Sequence, residues 1–239
     1  MRLLDLTLPT PEENLALDEA LLEENAVSGG PQETLRLWEP DRPLVVIGRA
    51  SRIAAEVRQD LCDELRVPVL RRTSGGAAIV AGPGCLMYAL LLSYSLRPSL
   101  RKIDLAHRFV LGTITGALRG LVPGVESRGT SDLAIGGRKF SGNSVRCKGD
   151  RFLYHGTLLY DFALEWIARL LTMPPRQPDY REGRDHESFV CNLPLTGSAI
   201  RRALITAWDA TEPCSQWPQS TTARLVAERY ANREWNEQR

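Results

Sequence analysis

The sequence predicts an α+β fold: a central mixed, mainly antiparallel sheet flanked by helices. Three observations lead there. Strand-like runs come in meanders rather than alternating one by one with helices. Gly136-Gly137 and Lys148-Gly149-Asp150 are tight-turn sequences between such runs, of the sort that join antiparallel neighbours. No internal repeat, low-complexity tract or interdomain linker divides the 239 residues, so one domain spanning 1–239 is expected.

In chain order, Thr10-Pro11-Glu12-Glu13 starts a helix, with Thr10 as cap, Pro11 in the first turn and Glu13 closing a capping box. Leu15, Leu22 and the Leu17/Leu21 pair continue it at helical spacing. Residues 34–38 alternate as a strand, Pro40-Asp41-Arg42-Pro43 turns, and 44–47 is a continuous buried-strand run. Ala54, Val57, Leu61 and Leu65 trace one helix face, with Asp60, Asp63 and Glu64 opposite. Strands resume at 67–71, 77–80 and 85–93, and a helix covers 103–118, ending near Gly120. Residues 133–135, 139–146 and 152–160 form a β-meander. A short helix at 164–171 turns Trp166 inward. Residues 173–187, with Pro174, Pro175, Pro178 and Gly183, read as a mobile loop. Helices at 197–208 and 221–230 complete the pattern.

Composition narrows the function classes. Thirty basic against 29 acidic residues give a net charge of +1, so no global field draws nucleic acid. The five cysteines (62, 85, 147, 191 and 214) contain no C-x-x-C pair and no zinc spacing, and their odd number fits a reducing compartment. The apolar start of MRLLDLTLPTPEEN is too short for a signal peptide, and the longest apolar run, 86–92, is far below membrane-spanning length. A cytoplasmic protein without nucleic-acid or membrane partners is expected.

Two segments carry the chemistry. Arg71-Arg72-Thr73-Ser74-Gly75-Gly76-Ala77-Ala78 follows the apolar run 67–70. Its small residues let a backbone approach a ligand, its successive N–H groups suit an anion, and its guanidinium groups can pair with phosphate or carboxylate. A plain hairpin turn with solvent-facing arginines would give the same short motif. The second segment, Gly137-Arg138-Lys139-Phe140-Ser141-Gly142-Asn143, places a lone ammonium on a hairpin and runs on to His155-Gly156-Thr157-Leu158-Leu159. Alone, Lys139 would read as a solvated strand lysine and His155 as a satisfied core histidine. Together the segments suggest a site for an acyl-phosphate anhydride.

That constellation resembles the lipoate–protein ligase branch of the biotin/lipoate ligase family. Members carry an RRxSGGGAV-like loop, then GxKxSGSA, HGTLL and a Ser-x-x-x-Asn-Leu segment. Here these stand as RRTSGGAAI (71–79), GRKFSGNS (137–144), HGTLL (155–159) and Ser188 to Leu193. The opening agrees too, at Asn14-Leu15-Ala16-Leu17-Asp18-Glu19-Ala20-Leu21, Leu35-Arg36-Leu37-Trp38 and Val45-Val46-Ile47-Gly48-Arg49, as does Ser131-Asp132-Leu133 before the lysine.

The resemblance implies a class-II-synthetase-like catalytic domain and an ATP-dependent lipoate–protein ligase. Arg72 with the backbone of Ser74, Gly75, Gly76 and Ala77 would hold the carboxyl end and phosphate of an acyl-adenylate. Lys139 would contact its carbonyl and α-phosphate, and Asp132 and His155 would line the site. An apolar tunnel under Leu70, Ile79 and the Met87/Ala89/Leu91 face would take the acyl chain. ATP with magnesium on its pyrophosphate and lipoate, or lipoyl-AMP, would be the small-molecule substrates. Lipoyl domains of 2-oxoacid dehydrogenases or a glycine cleavage H-type protein would supply the accepting lysine.

Three departures qualify this. Ala77 stands in place of a third glycine, and Gly84-Cys85-Leu86-Met87 in place of Gly-Asn-Leu-Asn. The C-terminal accessory domain of long ligases is expected to be absent, which makes a separate accessory chain a candidate partner for adenylation. The alternatives are a cysteine-dependent octanoyl or lipoyl transferase of the same fold and a non-catalytic carrier-docking subunit, with biotin a distant third. No cysteine occupies either transferase position, after the His-Gly strand or within 123–131.

Overall fold

β1 (Arg2–Asp5) is followed by α1 (Pro11–Val27). The structure, a computed structural model, describes residues 1–27 and 32–238. The helix starts at the expected capping box: Thr10 Oγ1 accepts from the Glu13 N–H at 3.2 Å, and Glu13 Oε2 accepts from the Thr10 N–H at 2.9 Å. Positions 15–22 of α1 are all buried, because the helix lies between two packed layers. Leu17, Leu21 and Leu22 meet Ala89, Leu91 and Leu153 on one side, while Leu15, Ala16 and Ala20 join a second core.

The next elements are β2 (Thr34–Trp38), β3 (Leu44–Ile47), α2 (Ile53–Glu56), α3 (Gln59–Glu64), β4 (Val69–Arg71), β5 (Ile79–Ala81) and β6 (Cys85–Ser93). A long helix, α4 (Ile103–Arg119), precedes β7 (Glu126–Arg128), β8 (Asp132–Ile135), β9 (Arg138–Lys148) and β10 (Arg151–Leu159). Then come α5 (Glu165–Leu170), α6 (His186–Phe189), α7 (Gly197–Ala207), β11 (Glu212–Pro213), α8 (Gln219–Leu225) and α9 (Arg233–Glu237).

Eight strands form the central sheet in the order β11-β1-β2-β6-β10-β9-β8-β7. β1 runs parallel to β11 and β2, and the remaining pairs are antiparallel. The fold is thus α+β with a mixed, mainly antiparallel sheet. β6 is buried along its whole length, and its side chains alternate. Leu86, Tyr88, Leu90 and Leu92 face Val110, Ile114 and Leu118 of α4 and Ile200 and Leu204 of α7. Ala89 and Leu91 face α1. A second sheet, β4-β3-β5, stands beside the first; β3 is parallel to β4 and antiparallel to β5. Among the described residues, no helix is long and apolar enough to cross a membrane.

Several expected elements take a different form. The helix face traced from Ala54 to Leu65 breaks into α2 and α3, because Val57 bridges Leu171 and the Arg58 N–H donates to the Leu170 carbonyl at 2.9 Å. That tertiary pairing outcompetes the helical hydrogen bond. Trp166 is half-buried with the Arg169 guanidinium 5.3 Å from its ring, while Ile167 and Leu170 occupy the core. The expected helix at 221–230 begins at Gln219 and changes at Val226 into a wider five-residue turn ending at Tyr230. Residues 173–187 are tied down by a short turn at Asp179–Arg181 and by Asp185, whose carboxylate caps α6 from the Ser188 N–H at 2.7 Å.

Candidate functional site

The loop after β4 is held through its carbonyls. Ser74 O accepts from the Arg49 N–H at 2.8 Å, Gly75 O from Ser144 Oγ at 2.9 Å, and Gly76 O from Ser51 Oγ at 3.0 Å. Arg72 completes the set, donating to Gly75 O from Nε (3.1 Å) and Nη2 (2.6 Å), to Ala77 O (3.0 Å) and to Val46 O (3.1 Å). The carbonyls of residues 74–77 are all engaged. Their N–H groups have no hydrogen-bond partner among the described residues. A loop with its carbonyls tied back and its amides unspent has the polarity that an anion requires. Burial lowers the Arg72 pKa to about 10 against the opposing pull of Glu56, so the guanidinium is still charged at neutral pH.

Arg71 does not reach the site. Its guanidinium is fully buried and donates to the carbonyls of Gly48, Arg49, Ser51, Trp235 and Asn236. The first arginine of the motif therefore locks α9 and the 48–51 turn to β4, and the second shapes the loop.

Beneath the loop runs a buried polar chain. Ser74 Oγ lies 2.6 Å from His155 Nε2, His155 Nδ1 lies 3.6 Å from Asp18 Oδ2, and Asp18 Oδ1 pairs with Arg36 at 2.5 Å. Arg36 also donates to Asn14 Oδ1 and to the carbonyls of Asn14 and Leu6. Burial works against the Asp18 carboxylate, but Arg36 and His155 outweigh it and hold its pKa below the ordinary 3.8. With Asp18 ionised, the His155 Nδ1 side faces a negative charge and Nε2 faces the serine.

Lys139 stands on β9 just past the Gly136-Gly137 turn, both of whose glycines have positive φ. Its Nζ is 2.7 Å from Asp132 Oδ1, and Asp132 Oδ2 accepts from the Tyr180 hydroxyl at 2.9 Å. The Lys139 carbonyl accepts from the Cys191 N–H at 2.9 Å, so the Ser188-to-Leu193 segment fixes the strand behind it. Gly142 makes room for the side chain: a Cβ there would lie 2.9 Å from Nζ.

Two cavities meet at this lysine. The larger, about 390 Å³, is lined by polar groups including Arg72, Asp132, Asn143, Ser144 and His155. The smaller, about 140 Å³, has an apolar wall of Ile79, Phe140, Leu159, Leu171, Phe189 and Val190, with Glu56, Arg176, Arg181 and His186 also on its lining. Lys139, Ala77, Ala78, Ile79 and Thr157 line both. One compartment fits a polar, phosphate-bearing group, the other an aliphatic chain, and the ammonium stands at their junction.

The structure thus gathers Arg72, Gly76, Ala77, Asp132, Lys139 and His155 around one space. Ser74 sits just behind it on His155, and Gly75 is exposed at its edge. Of the expected tunnel residues, Ile79 and Met87 line the cavities, whereas Leu70, Ala89 and Leu91 are spent on core packing. Sequence reasoning missed Asn143, Arg176 and Tyr180, which lie along or against the space. It also gave no role to Asp18 and Arg36, although a charged residue in the middle of the apolar strand Leu35-Arg36-Leu37 was itself a sign of a buried partner.

Residues 10–204 match the family described as lipoyl protein ligase A/B catalytic domain. The chain is 25% identical to lipoate–protein ligase LplJ of Bacillus subtilis over 242 residues, covering 95% of this chain and 70% of that one. It is 28% identical to lipoate–protein ligase 1 of Staphylococcus aureus (69% and 48% covered) and 29% identical to octanoyltransferase LipM of Carboxydothermus hydrogenoformans (66% and 64%). It therefore spans only about half to 70% of the length of such relatives. Among solved structures, a bi-partite lipoate protein ligase studied with its E2 lipoyl domain, from Thermoplasma acidophilum, superposes with a TM-score of 0.83 at 22% identity, covering 99% of this chain and 95% of that one. A second T. acidophilum structure, with bound lipoic acid, gives 0.84 at 21% identity (99% and 98%).

Proposed function

Because the chain belongs to the lipoyl protein ligase A/B catalytic-domain family, we propose that it is an ATP-dependent lipoate–protein ligase. In the first step a carboxylate oxygen of lipoate attacks the α-phosphorus of ATP, the bond to the β-phosphate oxygen breaks, and pyrophosphate leaves. In the second, the uncharged amine of a carrier lysine attacks the acyl carbon, the bond to the phosphate oxygen breaks, and AMP leaves as the amine gives up its proton. The product is an amide on the carrier. Magnesium would enter on the nucleotide's phosphates.

One observation carries this reading: the Lys139 ammonium stands where the two cavities join, one with an apolar wall and the other carrying Arg72, Asp132, Asn143 and His155. An acyl-adenylate has its anhydride at such a junction, with an aliphatic chain on one side and a nucleotide on the other. The ammonium would meet the charge that grows on the carbonyl oxygen and on the departing phosphate. The loop amides of residues 74–77 would supply further donors, and Arg72 would keep their carbonyls turned away. The similarity to LplJ and to a structure holding lipoic acid supports lipoate as the acyl group. The T. acidophilum system supports an E2-type lipoyl domain as acceptor, and an H-type protein with an equivalent lysine is the second candidate.

The similarity to an octanoyltransferase keeps a thioester route in the test. Against it, no cysteine is among the residues lining the two cavities. The deciding experiment gives the purified chain an apo lipoyl domain with one of three donors: lipoate and MgATP, preformed lipoyl-AMP, or octanoyl-carrier protein, with product read by mass. Lipoylation from lipoyl-AMP is expected, and lipoylation from that donor alone would indicate that adenylation needs a companion chain. Modification from octanoyl-carrier protein only would overturn the ligase reading. Binding of lipoyl-AMP without any transfer would mark a carrier-docking subunit.

A further inference from the structure

Tyr180 belongs to the segment that walls the larger cavity, where Arg176, Gln177 and Pro178 contribute lining. It sits in the short turn Asp179–Arg181, two residues beyond Pro178. Its ring packs on Phe189 at 5.2 Å between centroids, and its hydroxyl donates to Asp132 Oδ2 at 2.9 Å. The other oxygen of that carboxylate holds Lys139 Nζ at 2.7 Å. Arg184 adds a second tie, donating from Nη2 to the Tyr180 carbonyl at 2.6 Å and to the Gly137 carbonyl of the lysine's own hairpin at 3.1 Å.

We propose that Tyr180 is a positioning residue for Lys139. By occupying one carboxylate oxygen of Asp132 it fixes the other, and so links the seating of the 173–187 segment to the location of the ammonium. The inference rests on the reading of Lys139 as the residue that stabilises the reacting anhydride. The physical need is plain. A lysine head on a four-carbon stem has three equivalent donors and takes its place from its acceptor. A carboxylate on one fixed donor can still rotate, and one held at both oxygens cannot. Burial and the neighbouring Asp132 push the Tyr180 phenol well above its ordinary 10.0, so it remains a donor at every pH at which the enzyme would be assayed.

The same hydrogen bond gives the segment a reason to be ordered. With Tyr180 seated, the residues facing the larger cavity close one wall of it, and the lysine is aimed at the junction. Because the ring on Phe189 and the Arg184 bonds hold the segment as well, loss of the hydroxyl alone releases the carboxylate, and with it the lysine's fixed acceptor, without displacing the cavity wall. The tyrosine itself need not touch substrate.

The test is Tyr180→Phe, which removes one oxygen and keeps the ring against Phe189, in wild-type and Asp132→Ala backgrounds. Transfer from preformed lipoyl-AMP to an apo lipoyl domain is followed, with thermal melting to establish the fold. The expected result is a kcat lowered about tenfold with KM for lipoyl-AMP changed less than about twofold, the size of one lost hydrogen bond to a charged group. In Asp132→Ala, adding Tyr180→Phe should change nothing further, because the tyrosine acts through that carboxylate. Wild-type kcat in Tyr180→Phe overturns the proposal, and so does an equal loss in both backgrounds, which would mean that Tyr180 acts independently of Asp132. Lys139→Ala in parallel separates the two readings. If that variant transfers normally, the assignment of Lys139 falls and this proposal with it; if it is slow while Tyr180→Phe is not, this proposal alone falls.

Discussion

Gly48 and Gly76 touch across the gap between two loops: a Cβ built on Gly48 would lie 1.9 Å from the Gly76 carbonyl oxygen. The contact explains a pairing that sequence separation hides, since the turn after β3 is the floor on which the loop after β4 rests. Ser51 Oγ and the Arg49 N–H reach up from that floor to Gly76 O and Ser74 O.

Gly48→Ala should therefore displace the whole loop. It is expected to cost about 1–3 kcal/mol of stability, as overpacking does, and to weaken lipoyl-AMP binding at the same time. Gly75 is the internal control, because a Cβ there meets nothing within 4 Å. Gly75→Ala should leave stability within about 0.5 kcal/mol of wild type. Gly76→Ala falls between the two: its φ of +93 is costly for a side chain and its Cβ would press on Arg72 Nη2 at 2.8 Å. Equal stability of all three variants by denaturant unfolding would remove the floor-and-loop account.

Lys139→Ala should leave the fold intact, because the side chain is partly exposed and its backbone is held by the Cys191 bond. Transfer from preformed lipoyl-AMP should slow roughly a hundredfold or more, as expected when one preorganised electrostatic donor is lost. Single-turnover transfer to an apo lipoyl domain is the measurement. A rate close to wild type would reject the role assigned to this ammonium.

Asp18 and Arg36 form a fully buried pair, so cutting one partner leaves the other charged without compensation. Asp18→Ala is expected to cost about 3–5 kcal/mol. The pH dependence has a definite sign. The folded pKa of Asp18 lies below the ordinary 3.8, so folding favours the ionised form. Its contribution is complete above 3.8 and is lost as pH falls below that value. The Asp18 contribution to the stability gap between wild type and Asp18→Ala should narrow on acidification below about 4, while His155, 3.6 Å from the same carboxylate, adds its own pH dependence nearer neutrality. A gap that widens over that acidic range would contradict the pairing.

Much of this site was legible in the sequence because small-residue loops and tight turns are written locally. The capping box at Thr10 and Glu13, the β8–β10 meander and β6 itself all follow from spacing within a dozen residues. What could not be read was set by contacts between distant segments. The break at Val57 arises from Leu170 and Leu171. The roles of the adjacent arginines 71 and 72 diverge because one meets Trp235 and Asn236 and the other its own loop. Tyr180 looked like part of a featureless proline-rich stretch, and only the fold brings its hydroxyl to Asp132.

A thioester enzyme needs one reactive thiolate beside its substrate, and none of the cysteines here has that setting. Burial pushes the Cys85 thiol up to about 12 and the Cys62 thiol up to about 11. Burial also raises Cys191, whose Sγ points at the Arg138 carbonyl at 3.6 Å. Cys147 is exposed at the far end of β9, where its sulfur accepts from the Tyr94 hydroxyl at 3.1 Å, and it lines neither cavity. Cys85→Ala and Cys147→Ser, singly and together, should keep at least about half of the transfer rate from lipoyl-AMP, the range expected of residues outside a reacting centre. Cys85→Ala carries its own stability cost from a small core cavity, so its rate is to be normalised to folded protein. If Cys147→Ser instead abolishes transfer from octanoyl-carrier protein, and intact-mass spectra of wild type show an acyl adduct on that residue, the chain is a transferase and the adenylate chemistry assigned to Lys139 is wrong.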